Sequence, residues 1–377
     1  MSGDSSDDVL RRLIRAGRVP VTETIFSLPP PPAGLRPWDR VEGMLIGLAI
    51  GDALGNTTES MPPAHRRDRW GEIRDYLPNR YASGRAVGLP SDDTQLAFWT
   101  LEQLVEDGGL MPGNLARRFC SGQIFGVGST VQAFLDRFDG EGLPWDDAGL
   151  ASAGNGALMR IAPVLIPHLR QPSRRLWVDA ALATIITHND AAAVAASVGF
   201  VALLWDALGM TDPPEPEWWL QRFLELAKPL EPAGSTYRTR GGRFPDYSGR
   251  FADFVRERVS DAWERRLDTV AACDEWYSGA YLLETMPSVL YVLMRHGHDP
   301  EEAIVRAVND TKDNDTVAAI VGAAVGALHG VSALPERWRR GLLGRTREQD
   351  DGRVFEVTGE AQRIFAVGTN PRHLGGD

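Results

Sequence analysis

Cysteine is nearly absent from this chain, with Cys120 and Cys273 the only two in 377 residues. Two thiols build neither a disulfide framework nor a thiolate zinc site, and they suit a reducing, cytoplasmic setting. Histidine is also sparse, at seven residues, so any metal must be held mostly by oxygens. A basic surplus is missing: 51 acids outweigh 40 bases for a net charge of −11. That argues against a nucleic-acid binder, whose affinity would rest on phosphate neutralisation. Long apolar runs are missing too. Met44 to Gly51 ends at Asp52, and Ala191 to Trp205 lies between Asp190 and Asp206, both short of the ~18 residues of a membrane span. The opening MSGDSSDDVL lacks the basic start and apolar stretch of a secretory signal. Neither a membrane nor a nucleic acid is therefore expected as a partner. Strand-like runs are scarce, Val354 to Val357 being the best candidate, and no solenoid period repeats.

What is present is helical patterning. The length allows roughly two domains or one large helical one. Val41, Met44, Leu45 and Leu48 recur at helical spacing, as do Ala97, Leu101, Leu104 and Val105, and then Val317, Ile320, Val321, Ala324 and Leu328. Trp177 to Thr187 and Ala191 to Gly209 predict long apolar helices. Asp299-Pro300-Glu301-Glu302 is a helix start with capping Asp, Pro in the first turn and Glu three residues on. Gly43, Gly47, Gly51 and Gly55 lie along one ridge that lets a second helix approach closely, although each glycine costs its own helix about 1 kcal/mol relative to Ala. The expectation is one compact, mostly α-helical domain with flanking tails. Residues 1–40 read as an arm, with Val9, Leu10, Leu13 and Ile14 on a short helix before an extended Pro29 to Pro32 connector. A loosely ordered terminus and an interaction arm both fit it. Lys228 to Arg250 reads as a long loop whose Arg238, Arg240, Arg243 and Arg250 interleave with aromatics, either as a solvated surface or as a contact for an anionic partner.

The chemistry is expected at two acidic segments that open apolar helices: Ser91-Asp92-Asp93-Thr94 and Asp313-Asn314-Asp315-Thr316. Helix capping alone explains either one, at ~0.5–2 kcal/mol per cap. Together they present more carboxylates than capping needs, and crowded like charges cost energy unless a cation compensates. Oxygen donors of this kind suit Mg²⁺ or Mn²⁺, and two such half-sites facing each other match a two-metal hydrolytic centre. An EF-hand is excluded, because the turn glycine and closing glutamate are missing after Asp315. Glu59 follows the glycine-ridged helix, where a helix break would expose its carboxylate; alone it also reads as a surface acid. Gly126-Val127-Gly128-Ser129 and Gly154-Asn155-Gly156 are candidate cradles whose backbone N–H groups face an anion, although loops of this kind are common punctuation. His188 interrupts an apolar region, which by default makes it a buried, hydrogen-bonded histidine.

Taken in order, these segments resemble the ADP-ribosylglycohydrolase family, which contains dinitrogenase-reductase-activating glycohydrolase and the ADP-ribosylarginine and ADP-ribosylserine hydrolases. The resemblance spans about Val41 to Leu343 and rests on Gly47-Leu48-Ala49-Ile50-Gly51-Asp52-Ala53-Leu54-Gly55 with Glu59, on Ser91 to Thr94, on Gly154 to Arg160, on Thr187-His188, and on Asp313 to Ile320. It implies an all-α orthogonal helical bundle (catalytic domain 41–343, arm 1–40, tail 344–377) with a binuclear Mg²⁺ or Mn²⁺ centre. By position it implies Ser91, Asp92, Asp93, Asp313, Asp315 and Thr316 as metal ligands, and Glu59, Asp92 and Asp313 as the catalytic carboxylates. Phe125, Gly126, Val127, Gly128 and Ser129 would meet the diphosphate, while Ser152, Gly154, Asn155, Gly156 and His188 would line the ADP-ribose pocket. The implied reaction is hydrolysis of the bond between the distal ribose and a protein side chain, with arginine the leading acceptor.

The sequence also departs from the family pattern. Ser91 replaces the usual Thr, keeping the hydroxyl. Thr311-Lys312 stands where a Gly-Gly pair is common, and Ala153 where some relatives carry an aromatic for adenine, leaving Phe125 or Tyr281 as substitutes. Some bacterial relatives act as immunity proteins against ADP-ribosylating toxins, which would make residues 1–40 a toxin-contacting segment. The competing readings are a non-catalytic binding or structural relative and a two-metal hydrolase of another ribosylated small molecule.

Overall fold

Two helices that meet with no side chains between them form the centre of the molecule. In the computed structural model, which describes residues 5–347 and 351–366, Trp38–Gly55 runs antiparallel to Asn314–His329. Gly43 faces Gly326, Gly47 faces Gly322, Gly51 faces Ala318, and Gly55 faces Asn314 and Asp315. The glycine ridge seen in the sequence is what allows this. A Cβ on Gly47 would stand 2.9 Å from the Gly322 carbonyl carbon, and nearer still to its oxygen. Both helices are buried almost all round, as expected of helices with neighbours on every side.

The remaining helices form a shell around this pair. Ala191–Ala207, Leu282–His296 and Pro300–Asp310 pack on Asn314–His329, and Asp92–Asp107 packs on Trp38–Gly55. Caps set several of their starts: Asp190 accepts from the Ala192 and Ala193 amides, and Asp299 from the Glu302 amide. One continuous apolar core results, and the all-α expectation holds. The long loop begins after Leu230, because Lys228 is still in the Pro216–Leu230 helix. It carries a two-residue antiparallel pair in which Tyr237 lies opposite Gly249 and Arg238 opposite Ser248. Among the described residues no helix is long and apolar enough to cross a membrane.

Two expectations are corrected. Val354 to Val357 is not a strand but part of the helix Arg353–Phe365, whose Val354, Val357, Ala361 and Phe365 form one buried stripe. The short Val-x-x-Val run fits either period, and packing on Asp92–Asp107 decides for the helix. The tail is thus docked where it is described, while residues 348–350 and 367–377 lie outside the described residues.

The arm is not loose either. From residue 5 onward it forms the helix Ser6–Arg15, with Leu10 and Leu13 buried against Arg175–Ile185. The proline segment then offers its carbonyls to two indoles: Trp177 Nε1 donates to Pro29 at 2.8 Å and Trp205 Nε1 to Pro32 at 2.9 Å. Proline has no amide proton to satisfy, so its free carbonyls are well suited to this edge. Residues 1–4 lie outside the described residues.

Candidate active site

The antiparallel pair determines where the acids meet. The C-terminal end of Trp38–Gly55 lies against the start of Asn314–His329, where Asn314 Nδ2 donates to the Gly55 carbonyl at 3.0 Å and to Thr58 Oγ1 at 3.1 Å. After Gly55 the chain makes one tight turn, Asn56–Thr58, and leaves it extended at Glu59. The helix break foreseen there brings Glu59 back over Asp313 and Asp315, so that one carboxylate oxygen from each of the three lies within 4.8 Å of the others.

Asp92 and Asp93 enter from the start of Asp92–Asp107. That start is held by Asp52, which sequence reasoning quoted within a motif but gave no role. Asp52 is fully buried and accepts from the Ser91 and Thr94 amides at 2.9 and 3.1 Å, from both their hydroxyls at 2.6 and 2.5 Å, and from Asn56 Nδ2 at 3.0 Å. Its signal was present: it is the one charge within the buried apolar face of its helix. Thr316 Oγ1 reaches Asp93 Oδ2 at 3.4 Å and ties the two acidic segments together.

The electrostatics of this cluster are unfavourable as it stands. No basic side chain pairs with Glu59, Asp92, Asp93, Asp313 or Asp315 among the described residues. Burial, then the charge of Asp52, raises the pKa of Glu59, Asp92 and Asp93. Asp315 is raised by burial and then by Asp313 and Glu59. Asp313 is pushed up to about 6, again by burial first, although a 2.5 Å bond from Asn155 Nδ2 lowers it. Asp93 Oδ1 and Asn314 Oδ1 are buried with no hydrogen-bond partner, an arrangement that costs ~1–3 kcal/mol per group. Orphaned oxygens among unpaired carboxylates and two hydroxyls fit hard divalent cations. The residues present therefore suit Mg²⁺ or Mn²⁺.

Arg66, a second residue missed from the sequence, braces this arrangement. Fully buried, it donates to the carbonyls of Met61, Val308, Asn309 and Thr311 at 2.7–3.1 Å and so clamps the flanks of Glu59 and Asp313 together. Burial lowers its pKa to about 10, against the raising charges of Asp315 and Asp310. Nothing local in the sequence distinguishes it from its neighbours Arg67 and Arg69.

The glycine cradle lies on one side of the cluster. Leu150 donates its amide to the Thr187 carbonyl and accepts from the Asn189 amide, and the His188 ring lies against Gly154 and Gly156, where a Cβ would stand 3.3 and 3.0 Å from it. His188 is buried as foreseen. Burial, then Arg160, lowers its pKa to about 3, so the imidazole is neutral. Arg160 donates to Thr187 Oγ1, which in turn contacts His188 Nδ1 at 2.8 Å and leaves Nε2 facing the cradle. Thr130 and Ser152 share a 3.0 Å hydroxyl contact that joins the 126–130 loop to the cradle. Gly126 adopts φ +70°, a conformation side chains disfavour, and a Cβ there would lie 3.4 Å from Asp92 Oδ1. Tyr281 completes the rim, bridged to Gly154 and covered by Arg240 at 4.2 Å. Beneath it Glu284, a third residue the sequence did not flag, is buried with Oε1 unpartnered and its pKa pushed up to about 7 by burial.

A cavity of about 670 Å³ opens on another side of Glu59, with Ser91, Phe125 and Gly126 in its wall. Phe125 therefore faces this cavity, under Arg345 at 3.8 Å, whereas Ser152, Gly154, Asn155, Gly156 and His188 do not line it. Glu59, Asp313 and Asp315 thus meet in one acid cluster, and Glu59 is also part of the cavity wall.

Comparison with known proteins shows the family to which this fold belongs. The family model for ADP-ribosylglycohydrolase matches residues 32–366. The chain is 28% identical to the ADP-ribosylarginine hydrolase Tri1 of Pseudomonas putida, over 80% of this chain and 73% of that protein. It is 25% identical to the ADP-ribosyl-[dinitrogen reductase] glycohydrolase of Rhodospirillum rubrum, over 80% and 89%. A solved structure described as an ADP-ribosylglycohydrolase-related protein complex superposes with a TM-score of 0.62 at 27% identity, covering 87% of this chain and 97% of its own. The chain belongs to the ADP-ribosylglycohydrolase family of glycosyl-bond hydrolases.

Proposed function

We propose that this protein is a metal-dependent hydrolase that removes ADP-ribose from modified protein side chains, with arginine the leading acceptor. The observation that carries the reading is the convergence of Glu59, Asp313 and Asp315 within 4.8 Å, beside Asp92 and Asp93, with no basic partner among the described residues. Ser91, Asp92, Asp93, Asp313, Asp315 and Thr316 would hold two Mg²⁺ or Mn²⁺ ions. When bound, such ions stabilise developing charge on ribose oxygens and acidify a water. The chain's own residues do the rest. Asn155 fixes the Asp313 carboxylate through its 2.5 Å bond. His188 presents Nε2 of a neutral imidazole to the cradle, and the 126–129 backbone supplies N–H groups for the diphosphate. Glu59, raised in pKa and standing at the junction of cavity and cradle, holds or accepts the proton exchanged with water or leaving group.

The test is release of ADP-ribose from an arginine-modified protein with Mg²⁺, with EDTA, and with Asp92→Ala or Asp315→Ala. Activity that survives chelation and both substitutions refutes the reading, and a matched serine-modified substrate decides the linkage. The same reading extends to a cytoplasmic role in reversing or blocking a cognate ADP-ribosyltransferase toxin. Because the arm is docked on the core, deleting residues 1–40 would uncover the face of Arg175–Ile185 on which Leu10 and Leu13 pack. Substitutions on its outer face, Arg15→Glu and Leu35→Glu, probe the contact instead, and toxin capture unaffected by both removes it.

A further inference from the structure

The cavity of about 670 Å³ has a composition that the hydrolytic centre does not require. Apart from Glu59 it contains no acid, yet it is lined by Arg69, Arg80 and Arg345 in a chain whose net charge is −11. Arg69 and Arg80 have no carboxylate within ion-pair distance among the described residues. Each instead lies over an aromatic ring at the mouth, Arg69 at 5.1 Å from Trp70 and Arg80 at 4.6 Å from Tyr81. Those rings are exposed, Tyr81 by 70% and Trp70 by 37%, so the core does not account for them. Exposed Tyr, Trp and Arg grouped at one opening are the residue types that carry binding energy at protein interfaces.

We infer that this cavity receives the acceptor, and that it selects acidic polypeptide flanking the modified side chain. The inference rests on the hydrolase reading above and adds to it the class of substrate. ADP-ribose in the cradle and a polypeptide in the cavity would meet at Glu59, the one acid shared by the cluster and the cavity wall. The Arg69 and Arg80 guanidinium groups would then face carboxylates of the substrate. Trp70 and Tyr81 would cover its backbone, and their stacking on Arg69 and Arg80 holds both cations at the rim.

The test is a binding measurement independent of turnover. Fluorescence anisotropy compares a labelled Glu-rich peptide with its Lys-rich and neutral counterparts, on the wild-type protein and on Arg69→Glu/Arg80→Glu. Both side chains are exposed, so the double variant keeps its core, which its thermal midpoint verifies. The wild type binds the acidic peptide about tenfold tighter than the basic one, and less so as salt rises. The double variant loses that preference and gains affinity for the Lys-rich peptide. Binding of the acidic peptide persists with the wild type saturated by ADP-ribose. Equal binding of all three peptides, an unchanged preference in the double variant, or complete displacement by ADP-ribose each overturns the inference, the last by making the cavity the nucleotide site. Failure of the hydrolase reading is seen separately, as absence of ADP-ribose release from every conjugate.

Discussion

Gly51→Ala tests whether the contact between the two central helices sets the geometry of the acid cluster. In an isolated helix the change is favourable by about 1 kcal/mol. Here the new Cβ would stand 2.7 Å from the Ala319 amide nitrogen, and nearer to the Ala318 carbonyl, whereas ordinary contact begins at 3.4 Å. The helices must therefore separate by at least 0.7 Å at that point, the difference between those two distances. Backbone atoms cannot rotate aside as a side chain would, so the overpacking cost falls towards the upper part of the usual ~1–3 kcal/mol. Set against the gain in helix propensity, the net loss is about 2 kcal/mol, or about 2.5 °C in Tm for a chain of this size.

The separation would fall one residue from Asp52 and one turn from Gly55, where Asp315 packs. It would thus change the spacing between the Asp92–Asp93 and Asp313–Asp315 segments. Gly43→Ala, at the far end of the same ridge, carries a comparable clash with Gly326 and Gly330 without that proximity. Differential scanning calorimetry should show both variants destabilised, while titration with Mn²⁺ should show weakened ion binding for Gly51→Ala and much less for Gly43→Ala. A stabilised Gly51→Ala protein, or equal metal affinity in the two, would refute the argument.

Three further outcomes are expected. Asp315→Asn relieves like-charge crowding, so it raises the metal-free Tm and abolishes the rise produced by Mg²⁺, which at a hundredfold excess over Kd is worth about 2.7 kcal/mol in the wild type. Arg66→Ala leaves four buried carbonyls without their donor and lowers stability by at least about 3 kcal/mol by urea denaturation; Arg66→Lys, with a point charge in place of a planar fork, restores only part of it. His188 has a folded pKa near 3 against 6.5 in the unfolded chain, so the unfolded state binds the extra proton between those values. Its contribution to stability is complete above pH 6.5 and declines as the pH falls towards 3. The urea midpoint of the wild type should therefore fall more between pH 7.5 and 5 than that of His188→Gln, and equal falls would show that the ring is not held neutral.

Much of this site was legible because its parts are local. The glycine ridge and the two acidic helix starts are each a local pattern, and each lies where that pattern pointed. What was not legible depends on partners far along the chain. Asp52 holds a helix start about forty residues later, and Arg66 donates to carbonyls more than two hundred residues away; in both cases the functional meaning lies in the acceptor or donor, not in the neighbours. Val354 to Val357 was misread because a four-residue apolar run does not distinguish the two periods, and only the buried stripe out to Phe365 resolves it. The arm looked loose because prolines report an absence of internal hydrogen bonds, whereas its stability comes from indoles donated by other helices.

A contact made of backbone alone has a mechanical peculiarity. Interdigitated side chains act as teeth that resist sliding along the helix axis, and the glycine face of Trp38–Gly55 has none. Axial register is instead fixed at the two ends. Asn314 bonds to the Gly55 carbonyl at one end, and Ser332 donates to Asp39 at 2.8 Å at the other. The pair is a smooth rail held by a latch at each end, and one latch lies in the middle of the acid cluster. Loosening the distant latch would leave every acidic side chain intact while letting half of the cluster slip along the other half.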